Sequence, residues 1–175
     1  PDALRELIAA APPWPPRVTL ADVHDVFLKW LGSEYDFDVL NAVLAAAATE
    51  RLGGDPCWLL IIGGSGAAKT ETLTSLVGAG ATLEGSISGP GGLLSGTSHR
   101  DRGQHATGGL LRTIGARGIL VLTDMSSILA LGGDTRMATM AALRLIYDGK
   151  WIRSLGTDGG QTLMWEGRLV LLGAC

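Results

Sequence analysis

The chain has 175 residues but only two cysteines, Cys57 and Cys175, and no large excess of either charge. Two distant cysteines form neither a disulfide framework nor the paired spacing of a zinc site. A formal net charge of −3 excludes a globally basic surface, so contact with nucleic acid would need a local patch or a pore. No secretion signal is visible, and the longest apolar runs, such as 58–62 and 119–122, are far too short to span a membrane. We therefore expect a cytoplasmic protein without a membrane partner.

Glycine, by contrast, is abundant, with 26 residues, which is about twice its usual share. The glycines cluster in a few segments instead of being spread evenly, while 46% of the residues are hydrophobic. Such a chain can bury a substantial core between glycine-rich loops. The length suits one domain. This composition is typical of a loop-rich enzyme or a switch-like core.

The most informative segment is a glycine-rich loop between an apolar run, CWLLII at 57–62, and a segment of helical character, TETLTSLV at 70–77. A loop with almost no side chains lets backbone N–H groups approach an anion closely. The order of apolar strand, glycine-rich loop and helix predicts a phosphate-binding loop for ATP. In such a loop, Lys69 reaches the β- and γ-phosphates and the Thr70 hydroxyl binds Mg²⁺. The predicted nucleotide-binding residues are Gly63, Gly64, Ser65, Gly66, Ala67, Ala68, Lys69, Thr70 and Glu71.

Ala68 departs from the usual phosphate-loop pattern, which has glycine directly before the lysine. If the position needs a positive φ, alanine costs about 1 kcal/mol or somewhat more. If it lies in the right-handed helical region, alanine costs nothing. The alternative to a phosphate site is a glycine-rich strand-to-helix turn with an exposed lysine.

Before the loop, the sequence predicts helices over Asp2–Ala11, Leu20–Leu31 and Val39–Leu52, with a stiff proline-rich connector after the first. We expect residues 1–54 to form a helical collar or lid. Residues 55–175 would then form the nucleotide-binding core.

The core alternates apolar strands with helices. Strands are predicted over Cys57–Ile62, Leu83–Ser88, Gly118–Thr123 and Arg168–Gly173, and helices over Thr70–Val77, Thr107–Ile114 and Thr135–Tyr147, with loop-like sequence over Gly89–Gly103. Glycines at 156, 159 and 160 predict a hairpin between Lys150–Leu155 and Gln161–Trp165, with Trp151 facing Trp165. The alternation implies an α/β fold, a parallel sheet with helices on both faces.

Asp124 directly follows the predicted strand at 118–123. In phosphate-loop ATPases an acid at this place holds the Mg²⁺ shell, so Asp124 and Thr70 are the predicted metal-binding residues. The alternative is a carboxylate that caps the following segment. A second acid usually follows and polarises the attacking water, but here the next residue is Met125. Either hydrolysis is slow or another residue acts as the base; Glu71 is a candidate, with a solvated first-turn glutamate as the alternative.

Three arginines, Arg136, Arg144 and Arg153, are candidates for a charge-stabilising residue supplied to a neighbouring subunit, and Arg144 is the one we assign. A surface or ion-paired arginine is the alternative for each. Arg100, Arg102, Arg112 and Arg117 sit beside or near glycines and could line a groove. The three histidines are scattered, which favours solvated side chains.

The order of phosphate loop, acidic strand end, helix, hairpin and final strand, over about Cys57–Cys175, resembles the AAA+ class of P-loop ATPases. The strand 168–173 resembles the one that carries the sensor-1 residue, which would lie at or just past Cys175. The hairpin resembles the pre-sensor-1 hairpin of hexameric DNA helicases, including superfamily III helicases of viruses and plasmids. Segments such as AKTET at 68–72, ATGGLLR at 106–112 and LRLIYDGKWIRSLGTDGG at 143–160 are similar to ATP-binding proteins of actinobacteria and their phages.

This resemblance implies a Mg-ATP-dependent helicase or translocase of a mobile element that acts on single- or double-stranded DNA as a homo-oligomeric ring, such as a hexamer. One departure is that the hairpin tip carries Asp158, while the basic residues Lys150 and Arg153 lie on the stem. A non-motor ATP-dependent switch is the main alternative. A small-molecule kinase is a third, and it predicts a monomer with an acceptor pocket. The sequence has no NKxD motif, which argues against a GTPase.

Overall fold

The computed structural model describes residues 17–96, 107–156 and 160–175. The chain divides into two units, Pro1–Tyr35 and Asp36–Cys175. In the described part of the first unit, helix α1 (Leu20–Leu31) begins at a capping box in which Thr19 and Asp22 bond each other's backbone N–H. The hydroxyl and the backbone N–H of Thr19 donate hydrogen bonds that lower the pKa of Asp22. Phe27 packs on Tyr35 with ring centroids 5.5 Å apart.

The second unit is an α/β fold. Its helices are α2 (Phe37–Ala48), α3 (Lys69–Thr74), α4 (Pro90–Leu93), α5 (Leu110–Ile114), α6 (Ser126–Leu129) and α7 (Gly133–Tyr147). Its strands are β1 (Trp58–Ile61), β2 (Thr82–Glu84), β3 (Arg117–Leu122), β4 (Lys150–Leu155), β5 (Gln161–Glu166) and β6 (Arg168–Ala174). Single 3-10 turns follow α2 and α3, at Thr49–Arg51 and Ser75–Ala79.

Four of the strands form a parallel sheet in the order β1-β6-β3-β2, and β4 and β5 form a separate antiparallel hairpin. The last strand of the chain therefore lies between the first and the third. β6 pairs with both neighbours along its length, from Arg168 opposite Arg117 to Ala174 opposite Ile61. Its residues from Leu169 to Ala174 are all buried, as expected for a central parallel strand covered on both faces.

Helices cover both faces of this sheet. One face packs against α2 and α3 through a cluster that includes Val43, Leu73, Val121 and Leu172. The other face packs against α4 to α7 and the hairpin, through a cluster that includes Leu120, Leu122, Ile146 and both hairpin tryptophans. Full burial of each such aliphatic side chain contributes about 1.5–3 kcal/mol, so these two layers supply most of the unit's stability. The α/β fold with a parallel sheet and helices on both faces, as predicted, is confirmed.

Two arginines begin adjacent strands and fasten the connector between α2 and β1. Arg117 and Arg168 are register partners on β3 and β6. Arg117 donates to the carbonyls of Glu50 and Leu52 and pairs with the Glu50 carboxylate. Arg168 donates to the carbonyls of three connector residues, Thr49, Gly54 and Asp55. Carbonyls at the end of a helix have no partner within it, so these guanidinium groups complete the hydrogen bonding of the segment.

The division of the chain differs from the predicted boundary at residue 54. Helix α2 begins at an Asp36 cap, and its residues Leu40, Val43 and Ala46 are buried; Val43 and Ala46 belong to the core on one face of the sheet. The helix therefore belongs to the sheet unit and not to a collar. Its alanine-rich sequence predicted the helix but not its packing partners, which include β6, more than a hundred residues away along the chain, as well as β1 and α3. The predicted helix Asp2–Ala11 and the proline-rich connector lie outside the described residues.

Other element bounds also differ from the predictions. The strand predicted over Leu83–Ser88 ends at Glu84, because it lies at the sheet edge and pairs only with β3. The loop-like stretch from Gly89 contains the short helix α4, and residues 97–106 are not described. The hairpin is confirmed, with Trp151 opposite Trp165. Both tryptophans are at least 95% buried, so cross-strand packing accounts for them and base stacking does not.

Candidate functional site

The carboxyl ends of the four parallel strands meet at one edge of the sheet. Backbone hydrogen bonds continue past the strand ends: Gly63 N–H donates to Cys175, Met125 N–H to Ala174, and Thr123 N–H to Glu84. The loop after β1, the end of β6 and the acidic residue after β3 are thereby held side by side. In open α/β sheets, ligands bind outside the carboxyl ends of the strands, where successive connections diverge. This edge is the candidate site.

Lys69 reaches back over the loop that precedes it. Its Nζ lies 2.8 Å from the carbonyl oxygen of Gly63 and 2.8 Å from that of Gly64. Gly63 and Gly64 follow β1 after one residue, Ile62, so the ammonium group is held at the start of the loop. An ammonium group has three donors, and two of them are used here. The third is available to an anion bound in the loop.

The loop between Gly64 and Lys69 is exposed over most of its length, and most of its N–H groups are unpaired. Ala67 N–H donates to Gly64 across the turn at 3.4 Å. Within the described residues, no backbone carbonyl accepts the N–H groups of Ser65, Gly66, Lys69 or Thr70. Open backbone donors next to a lysine ammonium are the groups that a bound anion such as phosphate would need.

Ala68 adopts the left-handed conformation, with φ 51° and ψ 24°. It is the one described non-glycine residue with positive φ. Its carbonyl oxygen accepts from both the N–H and the hydroxyl of Thr72, at 3.0 Å and 2.8 Å. These bonds hold a conformation that an isolated alanine disfavours. The predicted cost of replacing glycine at this position therefore applies, and strain of this kind concentrates at functional sites.

Thr70 and Glu71 occupy the first turn of α3, and both are exposed. Within the described residues neither side chain has a hydrogen-bond partner. The Thr70 hydroxyl is therefore open to a ligand, as a metal-binding role requires. Glu71 lies on the same side of the site as the loop, one residue further along the helix. Its carboxylate is exposed, and a role for Glu71 as the catalytic base stays a prediction.

Asp124 is exposed directly beyond the end of β3. One of its carboxylate oxygens, Oδ1, accepts from the N–H of Ser126 at 3.0 Å and from the Ser126 hydroxyl. The capping alternative is thus realised at the start of α6. Within the described residues Oδ2 accepts no hydrogen bond, so this oxygen is available to a cation. Capping and cation binding are compatible, because a carboxylate has about four lone-pair positions.

The two side-chain oxygen ligands at this edge suit a Mg²⁺ ion that arrives bound to a phosphate substrate. Thr70 and Asp124 offer one hydroxyl and one carboxylate oxygen, and Mg²⁺ prefers oxygen ligands. In the ranges that the structure describes, no group of three or more His, Cys, Asp or Glu residues could form a metal cage by itself. A magnesium ion at this edge would need phosphate oxygens and water to complete its shell, which is how such sites are usually built.

Met125 stands where a second acid is expected and belongs to the core instead. It is partly buried and packs against the cluster under α7, and its Cβ lies close to Gly173 on β6. A thioether in this place can neither accept a proton from water nor orient it strongly. Any water-activating carboxylate must come from another element.

The arginine candidates differ in what they contact. Arg136 donates to the Leu129 carbonyl at 2.9 Å, and Arg153 donates to the Leu94 carbonyl beneath the hairpin. Both side chains are used in contacts within the chain. Arg144 is exposed on α7, and its side chain has no partner in the part of the chain that the structure describes. Arg112 is exposed on α5, whereas Arg117 is held by the connector; Arg100 and Arg102 lie outside the described residues.

The basic residues of the hairpin stem are paired. Lys150 lies 3.7 Å from the Glu166 carboxylate across the hairpin, and Arg153 is half-buried. On the outward face, Ile152 and Met164 are register partners and about half exposed. The tip residue Asp158 lies outside the described residues. The described stem therefore presents an apolar pair and an ion pair rather than free cations.

A groove of about 700 Å³ opens at the opposite, amino-terminal edge of the sheet. Its walls come from the end of α2, the turn after α3 and the start of β3, including Leu44, Leu76 and Ile119. The Arg117–Glu50 pair lies on its lining and is satisfied internally. Arg117, one of the arginines that the sequence suggested could line a groove, lies here, but none of the predicted nucleotide-binding, metal-binding or catalytic residues does.

Comparison with models of protein families and with curated proteins found no match to this chain. In the ranges that the structure describes, no helix is long and apolar enough to cross a membrane.

The structure adds two positions to the carboxyl edge: Glu84, which had no part in the sequence prediction of the site, and Cys175, near which the resemblance places the sensor-1 residue. Glu84 is the last residue of β2 and is the register partner of Leu122, two residues before Asp124. Cys175 donates its backbone N–H to Ile61 and accepts from Gly63, between the loop and the acidic strand end. Only the strand order could reveal either position. The sensor-1 role that the resemblance implies near Cys175 stays a prediction.

Proposed function

We propose that this chain is a Mg-ATP-binding ATPase of the P-loop, AAA+-type class. The observation that carries the proposal is the position of the Lys69 ammonium, held 2.8 Å from two loop carbonyls among open backbone N–H groups. Asp124 lies at the same sheet edge, beyond one intervening strand. A cation, several amide donors and a carboxylate in this order suit a triphosphate with its magnesium ion.

Each residue then has a distinct role. The open N–H groups of Ser65, Gly66, Lys69 and Thr70 bind phosphate oxygens, and the Lys69 ammonium compensates charge on the β- and γ-phosphates. The Thr70 hydroxyl and the Asp124 Oδ2 would hold Mg²⁺, and the ion would supply positive charge to offset the negative charge of the phosphates. Catalysis in this class consists mainly of positioning and electrostatic stabilisation.

The resemblance to hexameric helicases favours a motor that works on DNA as a ring. In such a ring Arg144 is the best of the three candidates for a residue acting on the neighbouring subunit, because it is exposed and uncommitted in the described structure. An arginine supplied in this way stabilises charge at the transferring phosphate.

The second candidate is a non-motor ATP-dependent switch, and two observations favour it. Met125 packs in the core where a water-polarising acid is expected. The hairpin stem uses Arg153 and Lys150 for internal contacts, which leaves the described stem without free basic groups to grip DNA. A switch needs nucleotide binding and slow turnover but no DNA.

Lys69→Ala tests the proposal. We expect it to abolish ATP binding, measured by titration calorimetry with Mg²⁺, because it removes the only side-chain cation of the loop. Lys29→Ala, a change of the same type in the other unit, is the control and should bind normally. Equal ATP affinity in both variants would refute the phosphate-binding role.

The same samples separate the two candidates. Phosphate release that rises with single-stranded DNA, together with ATP-dependent assembly in sedimentation, supports the motor. Lys69-dependent binding with no response to DNA supports the switch. The Arg144→Ala variant should lose turnover but keep ATP binding if the arginine acts between subunits.

A further inference from the structure

The missing acid at position 125 raises the question of which group activates the attacking water. Hydrolysis proceeds in line, so the nucleophile approaches the γ-phosphorus from the side opposite the β-phosphate. The loop after β1 and Lys69 would hold the phosphate chain at one end of the site. The base is therefore expected on the far side of Asp124 from the loop.

The sheet order identifies what lies on that side. Strands run β1, β6, β3, β2, so β2 is the next strand beyond Asp124. Adjacent strands are about 4.8 Å apart, which places the end of β2 within reach of a site above β3. The last residue of β2 is Glu84, and its carbonyl accepts from Thr123, the residue directly before Asp124.

The register also places Glu84 beside the end of β3. Glu84 is the partner of Leu122, the last residue of that strand. One residue further, Thr123 N–H donates to the Glu84 carbonyl at 3.0 Å, so the segment that leads to Asp124 starts beside Glu84. Glu84 is half-buried, and within the described residues its carboxylate has no hydrogen-bond or ion-pair partner. A half-buried acid beside the metal-binding strand end, with no structural contact in the described chain, has the position that a base needs.

We propose that Glu84 is the catalytic carboxylate of this site and replaces the acid absent at position 125. The inference rests on the proposed ATPase function. The Glu84 carboxylate accepts a proton from water as the water oxygen bonds to the γ-phosphorus. The bond between the γ-phosphorus and the bridging oxygen breaks, and its electron pair leaves with ADP. The products are ADP, inorganic phosphate and the proton taken up by Glu84.

Glu71 is the competing candidate and supplies the matched control. It is also a glutamate without a described partner, but it lies in the first turn of α3, on the loop side of the phosphates. A base there would approach the γ-phosphate from the side of the leaving group. The variants Glu84→Gln and Glu71→Gln each replace a negatively charged carboxylate with a neutral amide of nearly the same size.

The experiment measures phosphate release, Mg-ATP affinity and thermal stabilisation by Mg-ADP with aluminium fluoride, on the full chain. The aluminium fluoride complex imitates the transferring phosphoryl group with its in-line water. We expect Glu84→Gln to lower turnover about 100-fold or more while Mg-ATP affinity is kept. The same variant should lose the extra thermal stabilisation that aluminium fluoride adds to Mg-ADP. Glu71→Gln should retain both, and Glu84→Asp should recover part of the turnover.

Several results would overturn the inference while leaving nucleotide binding intact. These are normal turnover in Glu84→Gln, loss of turnover in Glu71→Gln alone, or a wild-type protein that binds ATP through Lys69 without any hydrolysis. Parallel loss of ATP affinity and thermal stability in Glu84→Gln would show a structural role instead. If Lys69→Ala leaves ATP binding unchanged, the proposed function itself fails, which is a separate outcome.

Discussion

Replacing Ala68 with glycine should stabilise the protein, although glycine usually destabilises the positions it enters. Ala68 has φ 51° and ψ 24°, where the Cβ of an L-residue crowds the following carbonyl group. Two hydrogen bonds from Thr72 to its carbonyl hold this geometry, so glycine would keep the same backbone. The substitution removes the steric cost without removing a described contact.

Two opposing terms set the magnitude. An alanine in the left-handed region costs about 1–2 kcal/mol. Glycine removes this steric cost. It also increases the conformational freedom of the unfolded chain, which lowers the free energy of unfolding by about 0.4–1 kcal/mol. The net expectation for Ala68→Gly is therefore an increase of about 0–1.5 kcal/mol in the free energy of unfolding.

Ala67→Gly is the matched control, since the neighbouring alanine is exposed and does not have positive φ. Ala67→Gly affects only the conformational freedom of the unfolded chain, so it should lower the free energy of unfolding by about 0.4–1 kcal/mol. Urea unfolding followed by circular dichroism measures both, with unchanged slopes as the sign that only stability has changed. If Ala68→Gly lowers the free energy of unfolding as much as Ala67→Gly does, Ala68 does not adopt a strained left-handed conformation.

Two other substitutions test the packing at the amino-terminal edge of the sheet, opposite the site. Gly167→Ala would place a Cβ 2.3 Å from the carbonyl oxygen of Ala116, so we expect the free energy of unfolding, measured with urea, to fall by about 1–3 kcal/mol. Gly132→Ala is the control and should change this free energy little, because the space around Gly132 is open. Arg168→Lys should cost about 1–3 kcal/mol, because one ammonium group cannot reproduce the guanidinium contacts to three connector carbonyls. Arg51→Lys, where the arginine side chain is 88% exposed, is its control, and equal effects would refute the role of Arg168.

Local patterns were enough to predict most of the elements. The alternating hairpin, the apolar strands and the helix before Tyr147 follow from residue spacing, because their periodicity reflects which side of the element is buried. The glycine-rich loop between β1 and α3 could be predicted because its glycines and Lys69 are neighbours in the chain. The short helix α4 was missed, since Pro90 and two glycines are typical of a loop. The collar assignment of α2 differs from the structure for another reason: an amphipathic helix does not reveal which surface it covers.

The sequence by itself determined the parallel α/β character of the chain, the loop with its lysine and the acidic strand end. Each depends on interactions within a few residues or on burial patterns along one element. Only the tertiary structure decided that β6 lies between β1 and β3, that Ala68 is left-handed, and that Glu84 ends the strand beside Asp124. Strand order and register arise from packing between segments far apart in the chain, so no local pattern could specify them.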